Sequence, residues 1–351
     1  MTLGERATDR TNGFDFLRIG LAVAVVCFHA YVLNEGSLKG MPAPLQLGAK
    51  LVMPMFFALS GFLVAGSLAR VSSLMEFVAL RVMRLAPALA VEVLLSALIL
   101  GPLLSAFSPS AYFADPAFPT YFRNIYGSIH FALPGLFLHN PVGGVVNGSL
   151  WTIPFELVCY VILVALVVLG MTRRAQLFAW LVFGAAAAIP LGIWLMHDPL
   201  LFGAIQGRAL VFSFLAGVAL FCRRDRVPFH GGLALVSAVL TVVGFAFPQW
   251  SYLAVFPTAY LTVWLGLQQL PAAPGGDYSY GLYLFAFPLQ QAIWLLVPVR
   301  AWWMNLGMAL PLGLAYAAFS WHCIEKPVLS RKRAIIARLE ASRAALRAVR
   351  E

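Results

Sequence analysis

Phe14 to Leu33 read FDFLRIGLAVAVVCFHAYVL, a nearly continuous apolar stretch with an arginine near its start and a histidine near its end. About 20 residues at roughly 1.5 Å rise each can cross the roughly 30 Å hydrocarbon core of a bilayer as a helix. The segment before the stretch is short and mixed in charge, and no small-residue cleavage site follows it. The stretch therefore predicts a retained transmembrane helix.

Arg18 and His29 lie inside this predicted helix, eleven positions apart. That spacing is close to three turns, so both side chains should leave the same face, about 16 Å apart along the axis. An ionisable residue inside a membrane costs several kcal/mol unless it is paired or hydrated, and it therefore marks a candidate functional site. The alternative for His29 is a hydrogen bond to a neighbouring helix with no further role.

The composition excludes a large soluble domain. The 351 residues are 61% hydrophobic and only 11% charged, whereas a soluble domain is about 25% charged. The net charge of +10 is spread between apolar segments, and no basic groove interleaved with stacking aromatics is visible, so we expect no nucleic-acid partner. The histidines and cysteines lack the spacing of metal ligands, so we expect no metal.

The hydropathy pattern predicts an all-α bundle of about ten transmembrane helices. The predicted segments are 15–34, 46–69, 85–106, 151–170, 176–196, 201–222, 231–249, 251–270, 279–299 and 302–324. If the N-terminus is cytoplasmic, most of the 24 lysines and arginines fall in inner joints, as the positive-inside rule requires. Both termini are therefore expected in the cytoplasm.

Two further segments complete the predicted organisation. The outer loop 105–150 is rich in aromatic residues and proline, and its apolar content predicts that it folds against the bundle. The membrane domain is expected over residues 1–327, followed by a basic amphipathic cytoplasmic tail over 328–351. Membrane lipids are the expected partner of this tail, with a dedicated partner site as the alternative.

Arg81 and Arg84 stand three residues apart, just before the third predicted segment, and share one helical face. With Arg18 they form a basic cluster on the predicted cytoplasmic side. Such arginines are often orientation signals or lipid head-group contacts. The sharper interpretation is a phosphate clamp, because a guanidinium binds phosphate oxygens two at a time.

Glu156 and Arg208 lie toward the predicted outer side. A carboxylate there can orient an imidazole and stabilise its protonated form, whereas the structural alternative is a Glu156–Arg208 ion pair. Glu92 is expected to pair with a nearby arginine, and Asp277 to cap the ninth segment. Gly61 predicts close backbone packing in mid-membrane, or alternatively a thin wall beside a tunnel.

Six blocks of the sequence occur in an ordered series between residues 14 and 327. They are the arginine and histidine separated by ten residues in the first helix, FFALSGFLVAGS, RVMRLAP, NGSLWTIPFEL, YSYGLYLFAFPL and WHCIEKPV. On these blocks the chain resembles the acyltransferase-3 family, membrane proteins that O-acylate bacterial surface and secreted carbohydrates. The resemblance implies a location in the bacterial inner membrane.

The resemblance also implies a reaction. A member of this family takes an acyl group, usually acetyl, from coenzyme A at the cytoplasmic face and delivers it to a sugar hydroxyl at the outer face. The positions that it implies are His29 and Glu156 for catalysis, Arg18, Arg81 and Arg84 for acetyl-CoA, and Arg208, Trp151, Asn147 and Tyr280 for the carbohydrate acceptor.

The chain departs from the family pattern in two ways. PFEL stands where many members have two adjacent acidic residues, and no soluble esterase-like domain follows the bundle. The acceptor is therefore expected to reach the bundle directly, for example on a lipid carrier. The competing interpretations are a transporter or flippase of a lipid-linked glycan, which predicts inverted repeats and paired broken helices, and a non-catalytic scaffold.

Overall fold

The computed structural model describes residues 1–8, 12–196, 206–271, 276–298, 301–332 and 334–336. Across these ranges the chain is helical and forms no β-strand beyond one isolated bridge between Thr2 and Pro228. The predicted all-α class is therefore confirmed. Residues 337–351 of the predicted cytoplasmic tail lie outside the described residues.

The described α-helices are named here in chain order. They are α1 (Leu3–Thr8), α2 (Gly13–Glu35), α3 (Ala43–Leu68), α4 (Leu74–Leu95), α5 (Gly101–Leu104), α6 (Pro109–Ala114), α7 (Ala117–Tyr121), α8 (Ile153–Val168), α9 (Ala175–Met196), α10 (Gln206–Arg223), α11 (Gly231–Ala246), α12 (Ser251–Gly266), α13 (Ser279–Leu296), α14 (Trp302–Phe319) and α15 (Lys326–Ser330).

The chain divides into two compact units. Unit 1 comprises Met1–Ala69 and Trp151–Gly275, and unit 2 comprises Arg70–Leu150 and Gly276–Glu351. Unit 1 therefore holds α1 to α3 and α8 to α12, and unit 2 holds the remaining helices. The predicted boundary at residue 327 falls inside α15 and stays a prediction.

Each of the ten predicted segments overlaps a helix of the structure. Six helical stretches are long and apolar enough to cross a membrane: Gly13–Glu35, Ala43–Leu68, Leu74–Leu104, Gly148–Val168, Ala175–Gly192 and Trp302–Ser330. These stretches confirm a helical membrane protein. The count of ten spans and the cytoplasmic location of both termini stay predictions.

Helix α11 shows how apolar the outer surface is. Its side chains at Leu235, Val239 and Val243 are about half exposed or more, and they follow one another at four-residue steps along one face. Water would make such a stripe costly, whereas hydrocarbon accepts it. The exposed stripe is what a helix packed on one side and bathed in lipid on the other requires.

Helix α4 begins at Leu74, well before the start predicted at residue 85, and this is a correction. Ser73 caps the helix, because its hydroxyl accepts the backbone N–H of Glu76 at 3.1 Å. The Glu76 carboxylate in turn accepts the backbone N–H of Ser72 at 2.8 Å. Arg81 and Arg84 consequently lie inside α4 and not before it.

Two π-helical segments interrupt the long helices of unit 2. Ser96–Leu100 joins α4 to α5, and Ser320–Glu325 joins α14 to α15. In each case a serine at the start of the segment donates a hydrogen bond of 2.9 Å to a buried carboxylate, Ser96 to Glu92 and Ser320 to Glu325. Because π segments are frequent at functional sites, these two carboxylates are candidate functional groups.

Loop 105–150 is folded, as predicted. Asn140 donates a hydrogen bond to the Gln291 side chain at 2.7 Å. The Gln291 amide donates to the backbone oxygens of Val142 at 2.8 Å and Val145 at 2.7 Å. These bonds attach the loop to α13 within unit 2.

Close packing at Gly61 is confirmed in unit 1. A Cβ atom placed on Gly61 would lie 2.0 Å from the backbone oxygen of Phe214, and one on Gly217 would lie 2.1 Å from the backbone oxygen of Ala58. Helices α3 and α10 therefore meet backbone to backbone, which a side chain of any size would prevent.

Gly61→Ala should destabilise the protein by about 1–3 kcal/mol, because the added methyl group forces two backbones apart. Gly184→Ala is the matched control, since a Cβ at this position in α9 meets nothing within 4 Å. Thermal unfolding in detergent should show a lower Tm for the first variant and no loss for the second. Equal melting temperatures would contradict the close contact between α3 and α10.

Candidate functional site

Helix α2 carries Arg18 and His29 on one face. It runs without interruption from Gly13 to Glu35, so the three-turn spacing predicted for the two residues holds. Ala22, Val26 and Leu33 lie on the same face at helical spacing and are fully buried. The face that carries the arginine and the histidine is therefore the packed face of α2.

His29 is partly buried and its Nδ1 atom is shielded from solvent. Arg18 lies nearer the start of α2, where its Nη1 atom is 3.3 Å from the Asp15 Oδ1 atom and its side chain is 28% exposed. An exposed ion pair of this kind is worth only about 0–1 kcal/mol. The observed contact with Asp15 therefore contributes little to holding the guanidinium of Arg18.

Glu156 lies in the first turn of α8 in unit 1. Its carboxylate accepts the hydroxyl of Tyr160 at 2.5 Å, one turn further along the helix. Arg208 is exposed. The contact observed at the Glu156 carboxylate is therefore with a tyrosine, and the Glu156–Arg208 ion pair stays a prediction.

The starts of α8 and α10 meet in unit 1. The Trp151 ring packs edge-on against Phe155 with 5.9 Å between centroids. The same Phe155 ring would clash with a Cβ on Gly207, the neighbour of Arg208. The structure thus brings Trp151, Glu156 and Arg208 to one end of the unit.

Phe28, the neighbour of His29 on α2, lies against Gly48 of α3. Leu47 and Leu51 of α3 and Phe212 of α10 pack against one core cluster of unit 1. Helices α2, α3 and α10 are therefore packed together in the unit that also holds Glu156.

Arg84 lies at the centre of a partly buried ionic network in unit 2. Its Nη2 atom is 2.5 Å from the Asp277 Oδ2 atom, and its Nη1 atom donates to Glu325. The side chain of Glu325 is only 2% exposed. The rings of Tyr280 and Trp321 flank the same guanidinium, with 5.6 and 5.8 Å to their centroids.

Three of the sequence blocks therefore converge on one guanidinium. RVMRLAP supplies Arg84, the residues around YSYGLY supply Asp277 and Tyr280, and WHCIEKPV supplies Glu325. Tyr280 also donates its hydroxyl to the backbone oxygen of Leu85 at 3.1 Å. Asp277 does contribute to the start of α13, since it accepts the Ser279 hydroxyl at 2.5 Å, but its second oxygen pairs with Arg84.

Arg81 is placed differently from Arg84. Its guanidinium lies over the Phe77 ring, 5.7 Å from the centroid, one turn earlier on α4. Its Nε atom is buried. The two arginines of the Arg-x-x-Arg block thus share a helix face but not an environment.

Glu92 does not pair with an arginine as expected, which is a second correction. It is fully buried, and its Oε1 atom accepts the Ser96 hydroxyl at 2.9 Å and the Asn147 amide at 2.8 Å. Asn147 also donates to the backbone oxygen of Leu284 at 2.7 Å and accepts the Ser149 N–H. Asn147 therefore connects loop 105–150 to α4 and α13 inside unit 2.

Tyr121 lies near this carboxylate from the loop side. It is fully buried. Burial raises the pKa of its phenol well above the usual range, and the charge of Glu92 is the second cause. The phenol is thus held in its neutral form beside a buried acid.

Sequence reasoning missed three partners: Asp277 and Glu325 for Arg84, and Tyr160 for Glu156. The signal for Tyr160 was present, since positions four apart on a helix are neighbours. The signal for the other two was weaker, because only the presence of acids in the terminal blocks indicated them. Across the described ranges no three His, Cys, Asp or Glu side chains converge as metal ligands would.

Comparison with known proteins agrees with this arrangement of blocks. The sequence profile of a family described as an acyltransferase domain matches residues 11–324. The chain therefore belongs to the acyltransferase-3 family.

Two relatives align along almost their whole length. The chain is 27% identical over 349 residues to a protein of Shigella phage Sf6 named O-acetyl transferase, covering 92% of this chain and 97% of the relative. It is 28% identical over 372 residues to nodulation protein 10 of Rhizobium leguminosarum bv. viciae, covering 95% and 97%. No solved structure gives a significant match.

Proposed function

We propose that this protein is a membrane O-acyltransferase that moves an acyl group, usually acetyl, from acyl-CoA to a carbohydrate hydroxyl. The observation that carries the proposal is that Arg18 and His29 both lie on the packed face of one continuous helix, in a chain of the acyltransferase-3 family. The Sf6 relative named O-acetyl transferase supports acetyl as the group transferred. The proposed location is the bacterial inner membrane, with the donor entering from the cytoplasm.

The spacing of the two residues fits the shape of the donor. Coenzyme A carries several phosphates that cannot enter hydrocarbon, so a guanidinium near the surface should hold them. The pantetheine arm is roughly as long as the separation of about 16 Å between Arg18 and His29 along α2. A donor gripped at Arg18 would therefore present its thioester at the level of His29.

His29 can act in two ways. As a general base, a neutral imidazole takes the proton of the sugar hydroxyl while the oxygen attacks the thioester carbonyl. The carbon–sulfur bond then breaks, the ester forms, and the proton passes to the departing thiolate. As an acyl carrier, the imidazole nitrogen itself attacks the thioester, coenzyme A leaves as the thiol, and the sugar hydroxyl then displaces the imidazole.

The other residues take supporting roles in this proposal. Glu156, bound to Tyr160, orients or stabilises the imidazolium, and Arg208 and Trp151 at the same end of unit 1 contact the acceptor. In unit 2, the proposed donor-binding role of Arg81 and Arg84 rests only on the match of their Arg-x-x-Arg block to the family. The observed contacts of Asn147 and Tyr280 are internal to unit 2, so their role at the acceptor rests on their sequence blocks.

The test uses inside-out membrane vesicles that contain the natural glycan of the host. Addition of acetyl-CoA labelled with carbon-14 in the acetyl group should transfer label to the glycan and release one coenzyme A thiol per ester formed. Vesicles without the protein are the control. Movement of unmodified glycan across the membrane, with no label incorporated and no thiol released, would instead support the transporter.

A further inference from the structure

Unit 1 contains a pocket of about 480 Å³, and none of its lining residues has a role in the proposed function. It lies where the connection between α8 and α9 meets the connection that follows α10. Its lining residues are Arg173, Arg174, Ala175, Gln176, Leu177, Cys222, Arg223, Asp225 and Arg226. Four of the nine are arginines, which is unusual in a chain with so few charges.

These four arginines lack acidic partners. In the part of the chain that the structure describes, no carboxylate lies within 4.0 Å of Arg173, Arg174, Arg223 or Arg226. The lining acid Asp225 is largely exposed and lies 3.9 Å from Arg224, which does not line the pocket. The pocket therefore carries an excess of positive charge that an anion would neutralise.

The backbone adds a second attraction for anions. Ala175, Gln176 and Leu177 form the first turn of α9, a helix of 22 residues. The N–H groups of a first turn have no partner within the helix, and the helix dipole makes this end positive. Arg223 donates to the Gln176 side chain, which places the end of α10 beside this turn.

We propose that this pocket binds a phosphate group. Guanidinium forks and the N–H groups of a helix start both bind phosphate in proteins, and residues of both kinds line this one pocket. A cavity of about 480 Å³ has room for the phosphate and the group that carries it. Two carriers share this chemistry: an anionic phospholipid head group, and the nucleotide part of coenzyme A.

Cys222 gives a direct reporter, because it is partly buried and lines the pocket. The full-length protein is placed in nanodiscs and treated with a maleimide, and the labelling rate of each cysteine is read by peptide mass spectrometry. Cys323 is exposed and does not line the pocket, so it reports general access. In one arm, phosphatidylcholine discs receive 3′,5′-ADP. In the other arm, discs also contain phosphatidylglycerol and receive no nucleotide.

A phosphate ligand should slow the labelling of Cys222 severalfold and leave Cys323 unchanged. Protection in the first arm identifies the nucleotide, and protection in the second arm identifies the lipid. The double variant Arg173→Ala and Arg226→Ala should weaken that protection about tenfold or more, because it removes two charge-assisted contacts. Arg224→Ala is the matched control, since this arginine packs on Phe221 outside the pocket lining and its loss should leave protection intact.

The proposal is overturned if neither 3′,5′-ADP nor phosphatidylglycerol protects Cys222. It is also overturned if the double variant and Arg224→Ala behave alike. A double variant that fails to fold shows faster labelling of Cys159, which is buried in the native protein. In that case Arg226→Gln alone is compared with Arg224→Gln. These readouts measure binding and not acyl transfer, so they stand or fall separately from the proposed function.

Discussion

His29→Ala should abolish the transfer of label from acetyl-CoA to glycan while leaving the protein folded. Loss of a general base typically costs about 10²–10⁴ in rate, and loss of an acyl carrier costs the whole reaction. The side chain is only partly buried, so its removal should cost little stability. Vesicle labelling at saturating acetyl-CoA measures the effect.

The matched control is His139→Ala, because His139 is an exposed residue of loop 105–150. Its removal should leave the labelling rate within about twofold, as expected for a surface substitution away from the proposed reacting groups. Acid quenching during turnover separates the two roles of His29, since only the carrier route leaves label on the protein. Undiminished acetylation by His29→Ala would remove both roles.

Breaking the Arg84 network should have the second largest effect, and it should be an effect on folding. Glu325→Gln leaves a partly buried guanidinium with one carboxylate in place of two, and Arg84→Ala leaves the buried Glu325 facing Asp277. Removing one partner of a buried ion pair typically costs about 3–5 kcal/mol. Thermal unfolding in detergent should show a large fall in Tm for both variants.

Arg81→Ala is the control for this prediction, because Arg81 is one turn away on α4 and its guanidinium lies over the Phe77 ring, whereas that of Arg84 contacts Asp277 and Glu325. We expect it to keep a Tm near that of the unchanged protein and to weaken the binding of coenzyme A. Should Arg84→Ala instead keep its Tm and lose only donor affinity, Arg84 would be a donor ligand and not a structural centre.

The sequence alone predicted the parts of the molecule that depend on local pattern. The spacing of Arg18 and His29 sets their common face because α2 is an uninterrupted helix, and the ten apolar segments overlap helices because hydropathy and helix length are local properties. The family was predictable because its motifs are short and ordered. Gly61 was read correctly because a small residue in mid-membrane has few other uses.

The errors in the helices have a local cause as well. The start of α4 was missed although Ser73 and Glu76 have the spacing of a capping box. The prediction followed hydropathy, which falls where Glu76, Arg81 and Arg84 enter the helix. The capping signal was the better guide, because a helix begins where its first N–H groups find acceptors and not where its apolar run begins.

The ionic and polar partners were not predictable in the same way. Arg84 pairs with Asp277 and Glu325, which are 193 and 241 positions away in sequence. Glu92 finds Asn147 across 55 positions. Such pairs are fixed by how the helices pack, and a single sequence carries no signal for which buried acid meets which buried donor.

The most direct test of the account is the mass of the host's surface polysaccharide. Deleting the gene should remove the acyl mass from the polysaccharide. For acetyl this mass is about 42 Da per site, that of C₂H₂O, and the unchanged protein should restore it. The His29→Ala protein, present in the membrane at the same level, should not restore it. Restoration of the full acyl mass by the His29→Ala protein would contradict the central claim that this histidine performs the transfer.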